Sequence, residues 1–120
     1  MRTVSTTTTE LGQRAEQAAA RYLAANGFQV VELNFSVPKL CEIDIIAVQN
    51  DVIYFVEVKY RSSSVGGGGL EYITPTKLRH MQRAAQVWIR QNRFQGSYTL
   101  AAIEVSGKDY VVTSFIDSIY

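Results

Sequence analysis

The chain has 120 residues, 47% of them hydrophobic and 19% charged, with a net charge of +1. That length supports one domain around a single core, and that composition excludes a disordered or fibrous chain. The near-neutral balance excludes a protein that coats nucleic acid through bulk basicity, so any DNA contact has to come from a local patch.

A single cysteine excludes an internal disulfide and fits a reducing compartment. Residues 1–9 are polar, low in complexity and without the apolar core of a signal peptide; they predict a flexible segment ahead of one domain over 10–120. No apolar run reaches the length that spans a membrane. These features predict a cytoplasmic, soluble protein.

From Glu10 to Asn26 apolar residues recur at helical spacing (Leu11, Ala15, Ala18, Tyr22, Ala25), and Asn26-Gly27 ends the helix. Glu16 falls at the border of that apolar arc, beside Gly12, Ala19 and Leu23. It is either an ordinary helix-edge glutamate or a carboxylate reaching into a shared cleft. Phe28 to Leu33 predicts a short strand, and Asn34 to Leu40 a loop or bulge, because Pro38 cannot sit in a central ladder.

Two β-branched, apolar runs follow, Glu42 to Gln49 and Val52 to Lys59, joined at Asn50-Asp51. Asn and Asp tolerate the positive φ of a tight hairpin, which pairs Gln49 with Val52, Ile46 with Phe55, Asp44 with Glu57 and Glu42 with Lys59. Strict alternation then places Glu42, Asp44, Glu57 and Lys59 on one face, and Ile43, Ile45, Ala47, Tyr54, Val56 and Val58 on the other. Opposed carboxylates are destabilising unless something positive lies between them. A hard divalent cation with oxygen ligands accounts for the pair, with Lys59 beside it; a solvated charged end of the sheet, with Lys59 pairing to a carboxylate, accounts for it too. Cys41 has no His or second Cys nearby in sequence and reads as a small packing residue.

The segment 62–69, rich in Ser and Gly, predicts a flexible loop, either a flap beside the hairpin or a plain connector; it lacks the spacing of a phosphate-binding P-loop. Thr74-Pro75 opens a second helix that runs to about Asn92 and buries Leu78, Met81, Ala85, Trp88 and Ile89. Arg79, Arg83, Gln86 and Arg90 share another side, a basic stripe that is a solvated face or a set of phosphate contacts. Lys77, in the first turn beside the apolar arc, is placed to reach an anion. His80 has no visible partner and reads as a surface residue. Tyr98 to Val105 and Tyr110 to Phe115 predict a second hairpin around Ser106-Gly-Lys-Asp109.

Glu42-Ile-Asp44, a hairpin, and Phe55-Val-Glu57-Val-Lys59 together resemble the bipartite signature of the restriction-endonuclease-like (PD-(D/E)xK) nucleases. More narrowly, the chain resembles the YraN family of endonuclease-like bacterial proteins, from about Gly12 to the strand after Gly96. Glu16 on its helix, Asn34, Lys59-Tyr60-Arg61 and Ile73-Thr-Pro-x-Lys77 carry that likeness, whereas Cys41 stands where the family usually has Gly. The resemblance implies an α/β sandwich, a mixed central sheet flanked by two helices in the order α-β-β-β-α-β-β. It further implies Mg²⁺- or Mn²⁺-dependent hydrolysis of phosphodiester bonds in DNA (branched or damaged DNA included), ahead of RNA. Asp44, Glu57 and the backbone carbonyl of Val58 would ligate the metal, and Lys59 would act on the attacking water or the developing charge. Glu16 would complete the site, Glu42 is a secondary candidate, and Lys77, Arg61, Arg79 and Arg83 would contact nucleic acid. A domain this small touches little DNA, which leaves room for a homodimer or a protein partner. The competing expectation is a non-cutting nucleic-acid-binding or assembly module of the same fold.

Overall fold

The computed structural model describes residues 8–63 and 70–119, so most of the segment 1–9 and residues 64–69 of the Ser/Gly stretch lie outside the described residues. The elements are α1 (Thr8–Ala25), β1 (Gln29–Val37), β2 (Cys41–Gln49), β3 (Val52–Arg61), α2 (Pro75–Asn92), β4 (Ser97–Ser106) and β5 (Val111–Ile116). This is the expected order. The strands form one sheet in the order β1-β2-β3-β4-β5, antiparallel except for the parallel β3–β4 pair. A parallel pair needs a long crossover, and α2 supplies it.

Local chemistry sets the element ends. Gly27 takes φ 88°, and the N–H of Phe28 closes back on the Leu23 carbonyl at 3.0 Å, the left-handed cap that a glycine adopts without cost. Asn50 and Asp51 have φ 52° and 64°, as a primed two-residue turn requires, and Gln49 pairs with Val52 and Ile46 with Phe55 as the turn dictates. Thr74 Oγ1 accepts from the Lys77 N–H at 3.0 Å, with Pro75 in the first turn of α2.

The helices lie on opposite faces of the sheet. Ala15, Ala18, Ala19 and Leu23 of α1 pack on Ile45, Ala47, Val56 and Ile103. Met81, Ala84, Ala85 and Trp88 of α2 pack on Ile46, Ile53, Phe55 and Leu100. The Trp88 indole N–H also donates to Glu32 Oε1 at 2.8 Å, tying α2 to β1. Leu78 and Ile89 are half-buried, and Ala25 is exposed where its helix stops. No described helix is long and apolar enough to cross a membrane.

The expectation for Asn34 to Leu40 needs correction. β1 continues to Val37: its register shift lies earlier, between Val30 and Glu32, Asn34 takes φ 55° inside the strand, and Pro38 falls after the last ladder residue.

Gly96 marks where the β4 entry meets the β2–β3 turn. A Cβ there would run into the Asp51 carbonyl oxygen, and the Ser97 N–H donates to that same oxygen at 3.2 Å. Neither backbone segment yields as a flexible side-chain tip would. Gly96→Ala is therefore expected to lower unfolding free energy by about 1–3 kcal/mol, as overpacking does. A denaturant titration checks this, and an unchanged midpoint contradicts the close approach.

Candidate metal and phosphate site

The site forms where the sheet stops being regular. Leu33 pairs with Ile45 and Phe35 with Ile43, yet Ile45 packs under α1 whereas Phe35 and Ile43 pack under α2. In an undisturbed strand residues two apart share a face, so both strands reverse their alternation at Asn34 and Asp44. The left-handed backbone of Asn34 makes the reversal possible. Ile43 is thus on the face opposite to the one alternation predicts. Glu42 is turned to the α1 side, so the expected single face carrying Glu42, Asp44, Glu57 and Lys59 is not found.

The β2–β3 pairing stops at Ile45 and Val56. The expected Asp44–Glu57 and Glu42–Lys59 rungs are therefore absent among the described residues. Asp44 fills the gap instead: its Oδ2 accepts from the Val58 N–H at 2.7 Å. In an extended strand a residue's N–H and C=O face the same neighbour, so the Val58 carbonyl looks into this gap as well.

Glu42 meets Glu16 of α1 rather than Lys59. Carboxylate oxygens of Glu16, Glu42 and Asp44 all lie within 4.8 Å of one another. Burial raises the pKa of Asp44 to about 8, and the charges of Glu57, Glu16 and Glu42 push the same way against the Val58 hydrogen bond. Burial and then Glu42 raise Glu16, while a hydrogen bond from Asn34 opposes them. Carboxylates that hold their protons this firmly are short of positive charge. The donor set is all oxygen and negatively charged, which fits a hard divalent cation such as Mg²⁺.

Glu57 lies on the α2 side of β3, where Lys77 Nζ stands 3.4 Å from its Oε2. Burial raises its pKa while Lys77 and then Lys59 lower it. Arg61 pairs with Glu104 of β4 at 3.2 Å. Two of the four residues expected to contact nucleic acid, Lys77 and Arg61, are thus held by carboxylates. Arg79 and Arg83 are exposed, Arg79 donating to Thr76 Oγ1 at 3.1 Å.

Tyr72 and Glu104 take part in ways the sequence pattern did not single out, and Asn34, quoted there only for the family likeness, hydrogen-bonds Glu16. The Tyr72 ring lies 5.6 Å from Lys59 Nζ and 5.7 Å from the Arg61 guanidinium carbon, within cation–π reach of both. Burial is the main cause that pushes its phenol up to about 12. Tyr72 follows a low-complexity run, where no periodicity marks a residue. Cys41 behaves as a packing residue: burial raises its thiol pKa, and Sγ donates to the His80 carbonyl at 3.4 Å.

Two helices on opposite faces of a five-stranded mixed sheet, with acidic residues gathered at the open end of its hairpin, are consistent with an α/β protein of the restriction-endonuclease-like fold. The chain belongs to the uncharacterised protein family UPF0102, the YraN family, whose model matches residues 15–105. It is 36% identical over 104 residues to a UPF0102 protein of Vibrio parahaemolyticus, covering 83% of this chain and 85% of that one. A Caldicellulosiruptor saccharolyticus UPF0102 protein is 38% identical over 97 residues (80% and 81% covered). One from Francisella tularensis is 30% identical over 112 residues (90% and 96%).

Proposed function

We propose that this protein is a metal-dependent nuclease that hydrolyses phosphodiester bonds in DNA. The observation that carries this reading is the convergence of Glu16, Glu42 and Asp44 within 4.8 Å, at the end of the hairpin whose other strand bears Glu57 and Lys59. Asp44, with Glu16 and Glu42, would hold Mg²⁺ or Mn²⁺, and Glu57 and the Val58 carbonyl are the further oxygen donors next to them. A divalent cation in such a site lowers the pKa of bound water and polarises a phosphoryl oxygen. The chain supplies the rest. The Val58 N–H orients Asp44, Asn34 orients Glu16, and Lys77 opposes the rise that burial imposes on the Glu57 pKa. Lys59, steadied over Tyr72, brings a cation that can orient the attacking water or meet the charge that develops on the phosphate.

The ion pairs that occupy Lys77 and Arg61 favour a second reading in one respect, since they leave fewer cations for DNA in a chain of net charge +1. A non-cutting binding or assembly module of the same fold follows from that. Incubation with labelled branched, nicked, linear and single-stranded DNA in Mg²⁺, Mn²⁺ or chelator separates the two. Cutting that needs metal and disappears in Asp44→Asn supports the nuclease. Intact DNA in every lane, with binding retained, supports the module.

A further inference from the structure

The carboxylates occupy one wall of a longer depression. A hollow of about 370 Å³ is lined by Thr9, Gly12, Gln13, Glu16, Asn34 and Glu42. A second, of about 300 Å³, adjoins it through Gln13, Glu16 and Asn34 and extends to Gln17 and Leu33. Together they form a groove between the first turns of α1 and the outer half of the β1–β2 hairpin.

The lining is unusual for a surface that meets a duplex. Lysine and arginine on phosphates supply much of the affinity for duplex and single strand alike, and among the described residues neither type lines this groove, so recognition here falls to groups that meet bases. The neutral groups are the amides of Gln13, Gln17 and Asn34 and the hydroxyl of Thr9, which offer paired donors and acceptors of the kind that read base edges. Leu33 is an exposed apolar residue, 45% accessible, at the far end. Hollows of this size suit one small ligand group apiece rather than a paired helix.

Gly12 points the same way. It sits inside α1, where glycine is a poor helix former, and a Cβ built on it meets nothing within 4 Å. No close packing calls for a glycine here, and a side chain would project into open space beside the first hollow.

We propose that this groove binds a single-stranded segment of nucleic acid, with one nucleoside in each hollow on either side of Glu16, and that Gly12 keeps its mouth open. The proposal deepens the nuclease reading by naming the form of DNA that the site takes. Unpaired bases expose the edges that amides recognise, whereas paired bases at a duplex surface do not enter hollows of this kind.

The test measures fluorescence anisotropy of a labelled single-stranded oligonucleotide and of its duplex in Ca²⁺, which takes the same oxygen donors as Mg²⁺. Wild type is expected to prefer the single strand, and Gly12→Leu to weaken that binding by about tenfold or more. Gly12→Ala, with a smaller group at the mouth, should weaken binding less than Gly12→Leu does and melt higher, because alanine is the better helix former. The Mn²⁺-induced rise in melting temperature should persist in both variants, which shows that the carboxylates and the fold are intact. Equal single-strand affinity in Gly12→Leu and wild type, or no preference for the single strand, overturns the groove. Single-strand binding that depends on Gly12, in a protein that cuts nothing, upholds the groove and removes the nuclease reading instead.

Discussion

Asp44→Asn melts at a higher temperature than wild type when both are free of metal at pH 8, and it loses the stabilisation that Mn²⁺ or Mg²⁺ gives. The folded protein raises the Asp44 pKa from 3.8 to about 8, chiefly through burial and then through Glu57. The native state therefore binds a proton that the unfolded chain releases between those two values. Stability from this group is fully present below pH 3.8, falls as pH rises, and is lost once pH passes about 8. Each pH unit inside that window costs up to about 1.4 kcal/mol. Asparagine carries no charge to bury, and its side-chain oxygen can still accept from the Val58 N–H, so this pH dependence should flatten. A cation reverses the balance for wild type, because its ligands must be deprotonated, and metal affinity should rise with pH. Cleavage in the variant should fall about a thousandfold, equivalent to roughly 4 kcal/mol of transition-state stabilisation. Thermal melts at pH 5 and pH 8, with and without Mn²⁺, check the first part. A variant that melts below metal-free wild type at pH 8, or that keeps the full metal shift, rules out the strained carboxylate cluster.

Lys59→Ala should lower the cleavage rate by about 10²–10³-fold, the scale of losing one preorganised charge at the reacting phosphate. Metal binding should survive. Among the described residues Lys77 and Arg61 lie in ion pairs, whereas the Lys59 ammonium stands over the Tyr72 ring. A cation–π contact at a partly exposed site is worth about 0.5–1 kcal/mol, which limits the stability change in this variant. Lys59→Arg should restore activity only in part, because a planar guanidinium does not place its charge as a compact ammonium does. Single-turnover rates together with Mn²⁺ melting shifts separate the roles. Loss of the metal shift in Lys59→Ala would mean that the lysine sustains the carboxylate cluster rather than the chemistry.

The half of the hairpin nearest its turn was legible residue by residue. Asn50-Asp51 fixed its turn, and the β-branched alternation fixed its pairing from Gln49–Val52 to Ile45–Val56. Both signals are local. The reversal at Asn34 and Asp44 left no such mark, since one residue in a left-handed conformation changes which face a strand presents without changing its composition. Glu42 was consequently assigned to Lys59 when it meets Glu16. The helical border position of Glu16, in one row with the fully buried Ala19 and Leu23, did point towards the sheet. Lys77 was read as reaching a phosphate, and in the fold its ammonium stands beside a carboxylate. That the anion is Glu57 depends on how α2 crosses β3, which spacing along the chain does not encode. The long β1 was missed because Pro38 was weighed as a barrier to the whole segment, although it affects only the residues next to it.

The parallel β3–β4 contact has a consequence for how the molecule assembles. α1 and the β1–β2–β3 meander are contiguous in sequence, and they alone bring Glu16, Glu42 and Asp44 together. β4 can join β3 only after the chain has closed a large loop through α2, and contacts of that separation form late and slowly. The acidic centre is thus encoded by the first half of the chain, whereas the lysine that answers Glu57 is delivered by the second.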